Sequence, residues 1–288
     1  MEAKKKFNTV LWYAGVILIS LTTVMPFLWT ISTSFKSDSE ILSGAMNLIP
    51  KVFTLDHYKE VFTTMPFQKY LKNSLILATG GVLTNLFFGS LAGYAFGQLK
   101  FKGKKPIFLV FLASMMIPGI VTMIPTFIVL RSFPMVGGNN IMGQGGLGLI
   151  NSYWAILLPG AAGAFSIFFM KQFFEQLPKE LGESARIDGA GDFKIFWNVY
   201  LPLAKPSLTT LGIMTFQAGW NAFMWPMIVL NSDEMKTVQV GLAAFQYNYN
   251  TNYGPLMAGT IISTLPVLVI FIFAQRNYVQ GLANTGIK

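Results

Sequence analysis

Six long stretches of the chain contain no charged side chain, and this feature limits its possible folds more than any other. A membrane helix needs about 20 apolar residues to cross the hydrocarbon core. A charge at the centre of such a helix costs about 2.5–3.5 kcal/mol on insertion scales, so uncharged runs of this length are typical of membrane spans. After the polar, loop-like front portions of two long runs are removed, the pattern predicts six transmembrane helices. They lie near residues 10–32, 73–98, 107–130, 153–171, 207–230 and 256–275.

The composition excludes several classes of protein. Only 11% of the 288 residues are charged and 53% are hydrophobic, whereas an average soluble domain carries about 25% charged residues. The absence of cysteine excludes a disulfide framework and a thiolate nucleophile. The single histidine, His57, is expected at the surface without a role. A net charge of +9 would suit nucleic-acid binding in a soluble protein, but here the lysines lie at the ends of apolar runs. We therefore expect an all-α integral membrane protein in contact with lipid, with one domain over residues 1–288 and no nucleic-acid partner.

Lysine and arginine are unevenly distributed between alternate loops, which predicts the orientation of the chain. If the N-terminus is inside, segments 1–9, 99–106, 171–206 and 276–288 face the cytoplasm and hold 14 of the 21 basic residues. We therefore expect both termini to be cytoplasmic. The first apolar run exceeds the length of about 7–15 residues typical of a signal peptide, so we expect it to remain as the first span.

The longest predicted cytoplasmic loop, residues 171–206, is called the elbow below. It holds ten of the chain's 33 charges, five of each sign, and it is too long for a simple turn. Lys179–Ile187 has the pattern of a short amphipathic helix. Two glycines after it permit a sharp turn with positive φ, and two later prolines predict a further break. These residues are Gly189, Gly191, Pro202 and Pro206. From this pattern alone, a solvated helix pair at the membrane surface and a docking surface for a soluble partner are equally open.

The spacing of residues within the elbow matches a known motif. The elements Glu183-Ser184-Ala185, Gly189 and Val199-x-Leu201-Pro202 resemble E-A-A-x3-G-x9-I-x-L-P, the EAA motif of bacterial ABC importer permeases. Other segments resemble MalG-type subunits, the permeases of maltose and other carbohydrate ABC importers. They are Arg186-Ile187-Asp188 in the elbow, Met116-Ile117-Pro118 and Ile124-Pro125 in the third span, Trp220-Asn221-x-Phe223-x-Trp225-Pro226 in the fifth span, and Gly281-Leu282 through Gly286-x-Lys288 at the C-terminus. By this resemblance the chain is identified as a member of that family.

The resemblance implies a type I, MetI-like permease fold and a set of partners. A second, similar but non-identical permease subunit would complete the pore, and two copies of a cytoplasmic ABC ATPase would drive it. An extracytoplasmic binding protein would deliver a sugar or oligosaccharide. The ATPase would bind ATP and Mg, since this chain has no G-x4-G-K-[ST] phosphate loop; the nearest match, Gly97…Gly103-Lys104-Lys105, has one spacer residue too many. We therefore expect a transport subunit without its own cofactor, metal site or enzymatic activity.

The resemblance also assigns roles to residues in two loops. The loop between the fifth and sixth spans reaches into the binding protein in the maltose system, and the matching loop here carries Tyr247, Tyr249 and Tyr253. The Gly-rich stretch 137–148 looks longer than the usual outer loop and receives no role. The surface that couples to the ATPase would be formed by Glu183, Ser184, Ala185, Arg186, Asp188 and Gly189.

Polar and aromatic residues inside the fifth span are candidates for the solute pathway. Sugars present C–H faces and hydroxyl groups, which suit aromatic rings and amides. The candidates are Gln217, Trp220, Asn221 and Trp225. The alternative, in which the rings pack between helices and Asn221 bonds a neighbouring helix, stays open.

The second and third spans carry residues that affect helix packing. Small residues at every fourth position, Gly89-x3-Gly93-x3-Gly97, predict close approach of a neighbouring helix. Pro118 and Pro125 remove backbone donors and predict a bend in the third span. Flexibility for gating is the alternative in both cases.

Other functions fit the sequence less well. An importer of glycerol phosphate or another polar solute would use the same scaffold, but the span interiors contain no Lys or Arg, which favours a neutral sugar. An ion-gradient-driven secondary transporter commonly has two related halves and buried ionisable residues, and neither is evident here. A membrane enzyme is disfavoured because no cluster of His, Asp or Glu marks a reaction centre.

Overall fold

The computed structural model describes the backbone of residues 2–44, 47–247 and 252–286, and over those ranges it contains helices, turns and bends but no β-strand. Apolar membrane sequences form helices because every backbone N–H and C=O must be bonded internally where water is absent. The α-helices are numbered in chain order. They are α1 (Glu2–Ser34), α2 (Asp38–Leu42), α3 (Asp56–Thr64), α4 (Phe67–Gln98), α5 (Lys104–Met115), α6 (Gly119–Arg131), α7 (Trp154–Gly160), α8 (Ala164–Glu175), α9 (Glu180–Ile187), α10 (Asp192–Ile195), α11 (Leu201–Leu203), α12 (Lys205–Trp220), α13 (Met224–Val229), α14 (Val238–Tyr247) and α15 (Tyr253–Gly286).

The third predicted span is a pair of helices. α5 and α6 meet at a bend of 104°, at the three residues, 116–118, that separate them. Pro118 lies in this bend, and proline disfavours the α conformation for the residue before it. The predicted bend at Pro118 is therefore confirmed, and Pro125 lies inside α6. Within the described part of the chain, four other segments are long and apolar enough to cross a membrane, namely Asn8–Ser34, Phe67–Gln98, Trp154–Glu175 and Tyr253–Phe273.

The fifth predicted span, residues 207–230, is divided between α12 and α13. At 1.5 Å per residue the 16-residue α12 is about 24 Å long, which is shorter than the hydrocarbon core of about 30 Å. Pro226 has no N–H to bond the carbonyl of Ala222, and this weakens the helix at the break. The prediction of an all-α membrane protein is confirmed, whereas six uninterrupted spanning helices are not found among the described residues.

Contacts divide the chain into two compact units. The first consists of Met1–Gln68 and Gly241–Leu265, and the second of Lys69–Val240 and Pro266–Lys288. The elbow lies entirely within the second unit. The candidate residues of the fifth span also belong to this unit, so the second unit contains most of the predicted functional residues.

Within the first unit, His57 is only 3% exposed, and the prediction of a surface histidine was wrong. Its Nε2 lies 2.7 Å from the carbonyl oxygen of Lys36. A Cβ placed on Gly254 would lie 2.2 Å from Cε1 of the ring, so only glycine permits this close approach. These partners are distant along the chain, which is why the local sequence did not predict the burial.

Within the second unit, α4 packs directly against α8. A Cβ placed on Gly93 would lie 2.6 Å from Cβ of Met170, whereas carbon atoms in contact lie about 3.5–4.0 Å apart. The predicted close packing through Gly89, Gly93 and Gly97, called the glycine stripe below, is therefore confirmed. The same relation repeats one helical turn earlier and one turn later, in the pairs Gly89–Ser166 and Gly97–Phe174.

The Gly-rich stretch 137–148 is held together by the side chain of Asn139. Its Nδ2 donates hydrogen bonds to the carbonyl oxygens of Arg131 and Phe133 at 2.7 and 2.9 Å. Its Oδ1 accepts a hydrogen bond from the backbone N–H of Gly146 at 2.7 Å. The stretch is thus a structured loop that is tied to the C-terminal end of α6.

Candidate functional site

The first arm of the elbow is α9, which ends in a tight left-handed turn. The N–H of Gly189 donates to the carbonyl of Arg186, and the N–H of Ala190 donates to the carbonyl of Ala185, both at 3.0 Å. This pair of bonds is the Schellman motif, which satisfies the last carbonyls of a helix and places the residue after the cap in the left-handed region. Gly189 has a φ of +81°, as predicted. Gly191 has a φ of −74°, so the prediction of positive φ there was wrong.

The second arm begins with α10 and continues into a π-helical turn over Phe196–Tyr200. Pro202 has no N–H for the carbonyl of Asn198, and a π turn is one way for a helix to accommodate a missing bond. The chain stays helical through Leu203 and is interrupted only at Ala204 before α12 begins. The predicted break is therefore confined to one residue, because Pro206 occupies the first turn of α12, where proline needs no partner.

An ion pair joins the two arms. Nη2 and Nε of Arg186 donate to Oδ1 of Asp192 at 2.7 and 3.2 Å. The hydrogen bond with Asp192 raises the pKa of Arg186 above its ordinary value. Because the two side chains are 48% and 55% exposed, the pair contributes about 0.2–1 kcal/mol. It orients the arms more than it stabilises the fold.

The base of the elbow is tied to the end of α4 through Tyr200. Its hydroxyl donates to Oε1 of Gln98 or to the carbonyl of Pro178, both at 3.2 Å. Burial raises the pKa of Tyr200, so the phenol remains a donor at neutral pH. Nε2 of Gln98 in turn donates to the carbonyls of Phe174 and Leu177 at the end of α8. The sequence analysis selected neither Tyr200 nor Gln98, since the EAA motif leaves position 200 unspecified and no motif includes Gln98.

We expect the Tyr200→Phe variant to lose about 0.5–1.5 kcal/mol of stability, because removal of the hydroxyl breaks its part-buried hydrogen bond to Gln98 or Pro178. The measurement is the shift of the unfolding midpoint of the purified protein in detergent. Tyr253→Phe is the matched control, since Tyr253 is exposed. Equal midpoints for the two variants would contradict this role for Tyr200.

A polar cavity of about 460 Å³ lies between the elbow and the segment that follows α4. Two of the predicted coupling residues, Glu183 and Arg186, line it. The cavity therefore has charged side chains of both signs beside α9. The charged residues that line it are Lys100, Lys179, Arg186, Glu183 and Asp192.

The other predicted coupling residues occupy different positions on α9 and the turn. Ala185 is half-buried against the core below the elbow, and the hydroxyl of Ser184 donates to the carbonyl of Glu180 at 2.8 Å. Asp188 and Gly189 are exposed at the turn. The six residues thus lie on one short helix and its terminal turn, with Glu183 and Arg186 facing the cavity.

Apolar side chains at the tip of the elbow are also exposed. Ile187 is 87% exposed and Phe193 is 61% exposed. The ring of Phe193 stacks on that of Trp197, with centroids 6.2 Å apart and an interplanar angle of 22°. Both residues lie at spacer positions of the EAA motif, which does not specify them, and the charge pattern of the elbow did not predict an apolar tip.

The four predicted pathway residues do not form one surface. Gln217 and Asn221 are exposed neighbours, and Oδ1 of Asn221 accepts from Nε2 of Gln239 at 3.5 Å. Trp220 is 2% exposed and stacks on Phe216 with centroids 5.7 Å apart. Trp225 is half-buried away from these three residues, and it lines a cavity beside α6 and α7.

The predicted outer contact residues are described only in part. Tyr253 is exposed and begins α15. Tyr247 ends α14, and Tyr249 lies outside the described residues. Over the ranges that the structure describes, no three His, Asp or Glu side chains are close enough to hold a metal ion.

The chain is similar to known membrane components of importers. It is 35% identical over 277 residues to the arabinooligosaccharides transport system permease protein AraQ of Halalkalibacterium halodurans, covering 95% of this chain and 94% of the relative. It is 30% identical over 282 residues to the lactose transport system permease protein LacG of Rhizobium radiobacter, covering 98% and 97%. Among solved structures it resembles a chain of a bacterial ABC transporter involved in the import of the acidic polysaccharide alginate, with a TM-score of 0.80, 25% identity and coverage of 95% and 97%.

The family assignment rests on a match over most of the chain. Residues 85–283, well over half of the chain, match the family model for the inner membrane component of binding-protein-dependent transport systems. The matched range contains the glycine stripe, the bend before α6 and the whole elbow. This chain therefore belongs to the family of inner membrane components of binding-protein-dependent transport systems.

Proposed function

We propose that the chain is one of two permease subunits of an ATP-driven importer for a sugar or oligosaccharide. The family is defined by dependence on a binding protein, and the relatives AraQ and LacG are named for arabinooligosaccharides and lactose. An extracytoplasmic binding protein would deliver the solute, and a second, similar permease would complete the pore. Two copies of a cytoplasmic ATPase would bind ATP and Mg and hydrolyse the nucleotide. This chain would serve as a channel component and not as an enzyme.

The observation that carries the proposal is the construction of the elbow. α9 projects as a short charged helix, and its end is fixed by the left-handed Gly189. Below it lies a buried aromatic cluster that includes Tyr94, Phe174 and Tyr200. A projection that exposes both charged and apolar side chains at its tip and is packed at its base suits the transfer of force from a soluble partner. Both termini and the elbow would then lie on the cytoplasmic side.

The ATPase would contact α9 and the turn after it. Glu183, Arg186 and Asp188 supply charge of both signs, and exposed Ile187 and Phe193 supply apolar area. A carboxylate that is buried by docking requires a cationic partner, since breaking a buried ion pair costs about 3–5 kcal/mol. The contact surface is completed by Ser184, Ala185 and Gly189.

A displacement of the elbow would reach the membrane helices through its base. Tyr200 contacts Gln98 at the end of α4 by a hydrogen bond, and its ring lies 5.2 Å from that of Tyr94 one turn earlier on α4. α4 is in turn locked to α8 by the glycine stripe. We infer that these two helices move together with the elbow, because neither contact permits sliding without loss of packing.

The solute pathway would include the exposed amides of Gln217 and Asn221. They lie where α12 ends, and an interrupted helix in a membrane is tolerated where its backbone lines a cavity or is buried in protein. Trp220 would support this face from behind by its stacking on Phe216. On the outer side, the loop that carries Tyr247, Tyr249 and Tyr253 would contact the binding protein, a role that rests on resemblance alone.

The proposal is tested in proteoliposomes that contain this chain together with the companion permease, ATPase and binding protein from neighbouring open reading frames. We expect uptake of lactose or an arabino-oligosaccharide that requires internal ATP and persists without any ion gradient. Uptake that follows a proton or sodium gradient and ignores ATP would instead identify a secondary transporter. Omission of the ATPase is the matched control, and it should abolish uptake.

A further inference from the structure

A cavity of about 310 Å³ lies where α6, α7 and α13 meet. Its volume is at the lower end of the range of about 300–1,000 Å³ that is usual for small-molecule sites. The pattern of the fifth span selected Trp225, which lines this cavity, but it did not predict the cavity or the residues of α6 and α7. The lining residues are Gly119, Thr122, Met123, Thr126, Ile156, Pro159, Gly160 and Trp225, and none of them carries a charge.

The indole of Trp225 is fixed in this cavity by a proline on α7. Pro159 has no N–H, so it cannot donate to the carbonyl of Ala155 four residues earlier. Nε1 of Trp225 donates to that carbonyl instead, at 3.1 Å. A backbone carbonyl without a partner is costly in an apolar environment, so this bond holds the ring in one orientation. The cavity therefore has a rigid aromatic wall before any ligand enters.

Two hydroxyl groups lie on another wall of the same cavity. Thr122 and Thr126 are four residues apart on α6 and so share one face of the helix. The hydroxyl of Thr122 donates to the carbonyl of Gly119 at 2.9 Å, which leaves its oxygen able to accept a hydrogen bond. The hydroxyl of Thr126 makes no hydrogen bond within the described ranges of the chain. It is therefore available both to donate and to accept.

We propose that this cavity is a subsite for one ring of a neutral saccharide. The C–H face of the sugar packs on the indole of Trp225, and the sugar hydroxyls bond Thr122 and Thr126. An anionic sugar is excluded, because a carboxylate moved out of water without a cationic partner is strongly disfavoured and the walls supply none. This inference rests on the proposed function, and it distinguishes this chain from its structural relative, which imports an acidic polysaccharide.

The test uses the complete importer in proteoliposomes with saturating, loaded binding protein. The probes are lactose, an arabino-oligosaccharide and an alginate oligosaccharide, and both uptake and ATP hydrolysis are measured. In the variant Thr122→Val/Thr126→Val we expect the ATP hydrolysed per saccharide imported to rise about tenfold, which corresponds to the loss of one or two hydrogen bonds of about 0.5–1.5 kcal/mol each. The single variant Thr126→Ser, which keeps a hydroxyl at this position, should keep the ratio of the unmodified protein. Trp225→Ala should raise the ratio at least as much.

The control variant is Thr84→Val, which makes the same chemical change in α4, where the hydroxyl bonds its own helix. An unchanged ratio in the threonine and tryptophan variants would overturn the inference, as would a parallel fall of uptake and ATP hydrolysis. Import of the alginate oligosaccharide at the rate of the neutral probes would overturn the assignment to neutral sugars. Failure of the unmodified importer to take up any saccharide would refute the proposed function itself.

Discussion

Replacement of Gly93 by leucine is expected to force α4 away from α8 and to leave little stable permease in the membrane. Even a single Cβ at this position would lie 2.6 Å from Cβ of Met170 and 2.9 Å from the backbone nitrogen of Lys171. The obstacle includes backbone, so no rotamer change can relieve it. Overpacking of this kind costs about 1–3 kcal/mol and occasionally more, and helix association in lipid depends on close approach through small residues.

The matched control is Gly81→Leu in the same helix. A Cβ on Gly81 meets nothing within 4 Å, and the gain in hydropathy is the same for both variants. We expect Gly81→Leu to retain a single monodisperse peak in detergent chromatography, and Gly93→Leu to lose most of the peak and to unfold at a lower temperature. Indistinguishable behaviour of the two variants would show that the stripe does not hold the helices together.

Replacement of Gly189 by valine is expected to reduce ATPase retention and uptake while the protein still inserts. The residue has a φ of +81°, where a β-branched side chain is strongly disfavoured. The left-handed conformation costs an L-residue about 1–2 kcal/mol, which lowers the population of the Schellman-terminated turn by a factor of about 5–30. The measurements are the amount of ATPase that co-purifies with the permease and the rate of uptake.

Gly191→Val provides the control for this variant. Both glycines face open space in this chain, but Gly191 has a φ of −74°, which valine adopts without strain. We expect Gly191→Val to retain clearly more ATPase than Gly189→Val. Equal retention would mean that the left-handed turn is not needed for coupling, and the role proposed for the elbow would fail.

Features that depend on local spacing were predictable from the sequence. The uncharged runs predicted the helical class, and the repeat of Gly89, Gly93 and Gly97 predicted the packing face of α4. The position of Gly189 after an amphipathic segment predicted the left-handed turn. Each of these depends on residues within a few turns of one another, so no knowledge of the tertiary structure was required.

Features that depend on distant partners were not predictable. His57 is buried by Lys36 and Gly254, which lie 21 and 197 positions away. Trp220 and Trp225 are close in sequence, but the interruption after α12 sends one ring into the core and the other into a cavity. No local pattern encodes that division, because it depends on the helices that pack around each ring.

The bond between the indole of Trp225 and the carbonyl of Ala155 spans 70 positions, and it makes Trp225 dependent on Pro159, whose missing N–H leaves that carbonyl without a helical donor. A donor that proline removes from one helix is supplied by a side chain from another. Loss of Trp225 alone would leave the carbonyl of Ala155 without a donor. Loss of Pro159 alone would restore a backbone N–H that competes with the indole for the same carbonyl. Selection should therefore act on positions 159 and 225 jointly. Across an alignment of such transporters, substitutions at these two sites should be statistically correlated, although the residues themselves never form a bond.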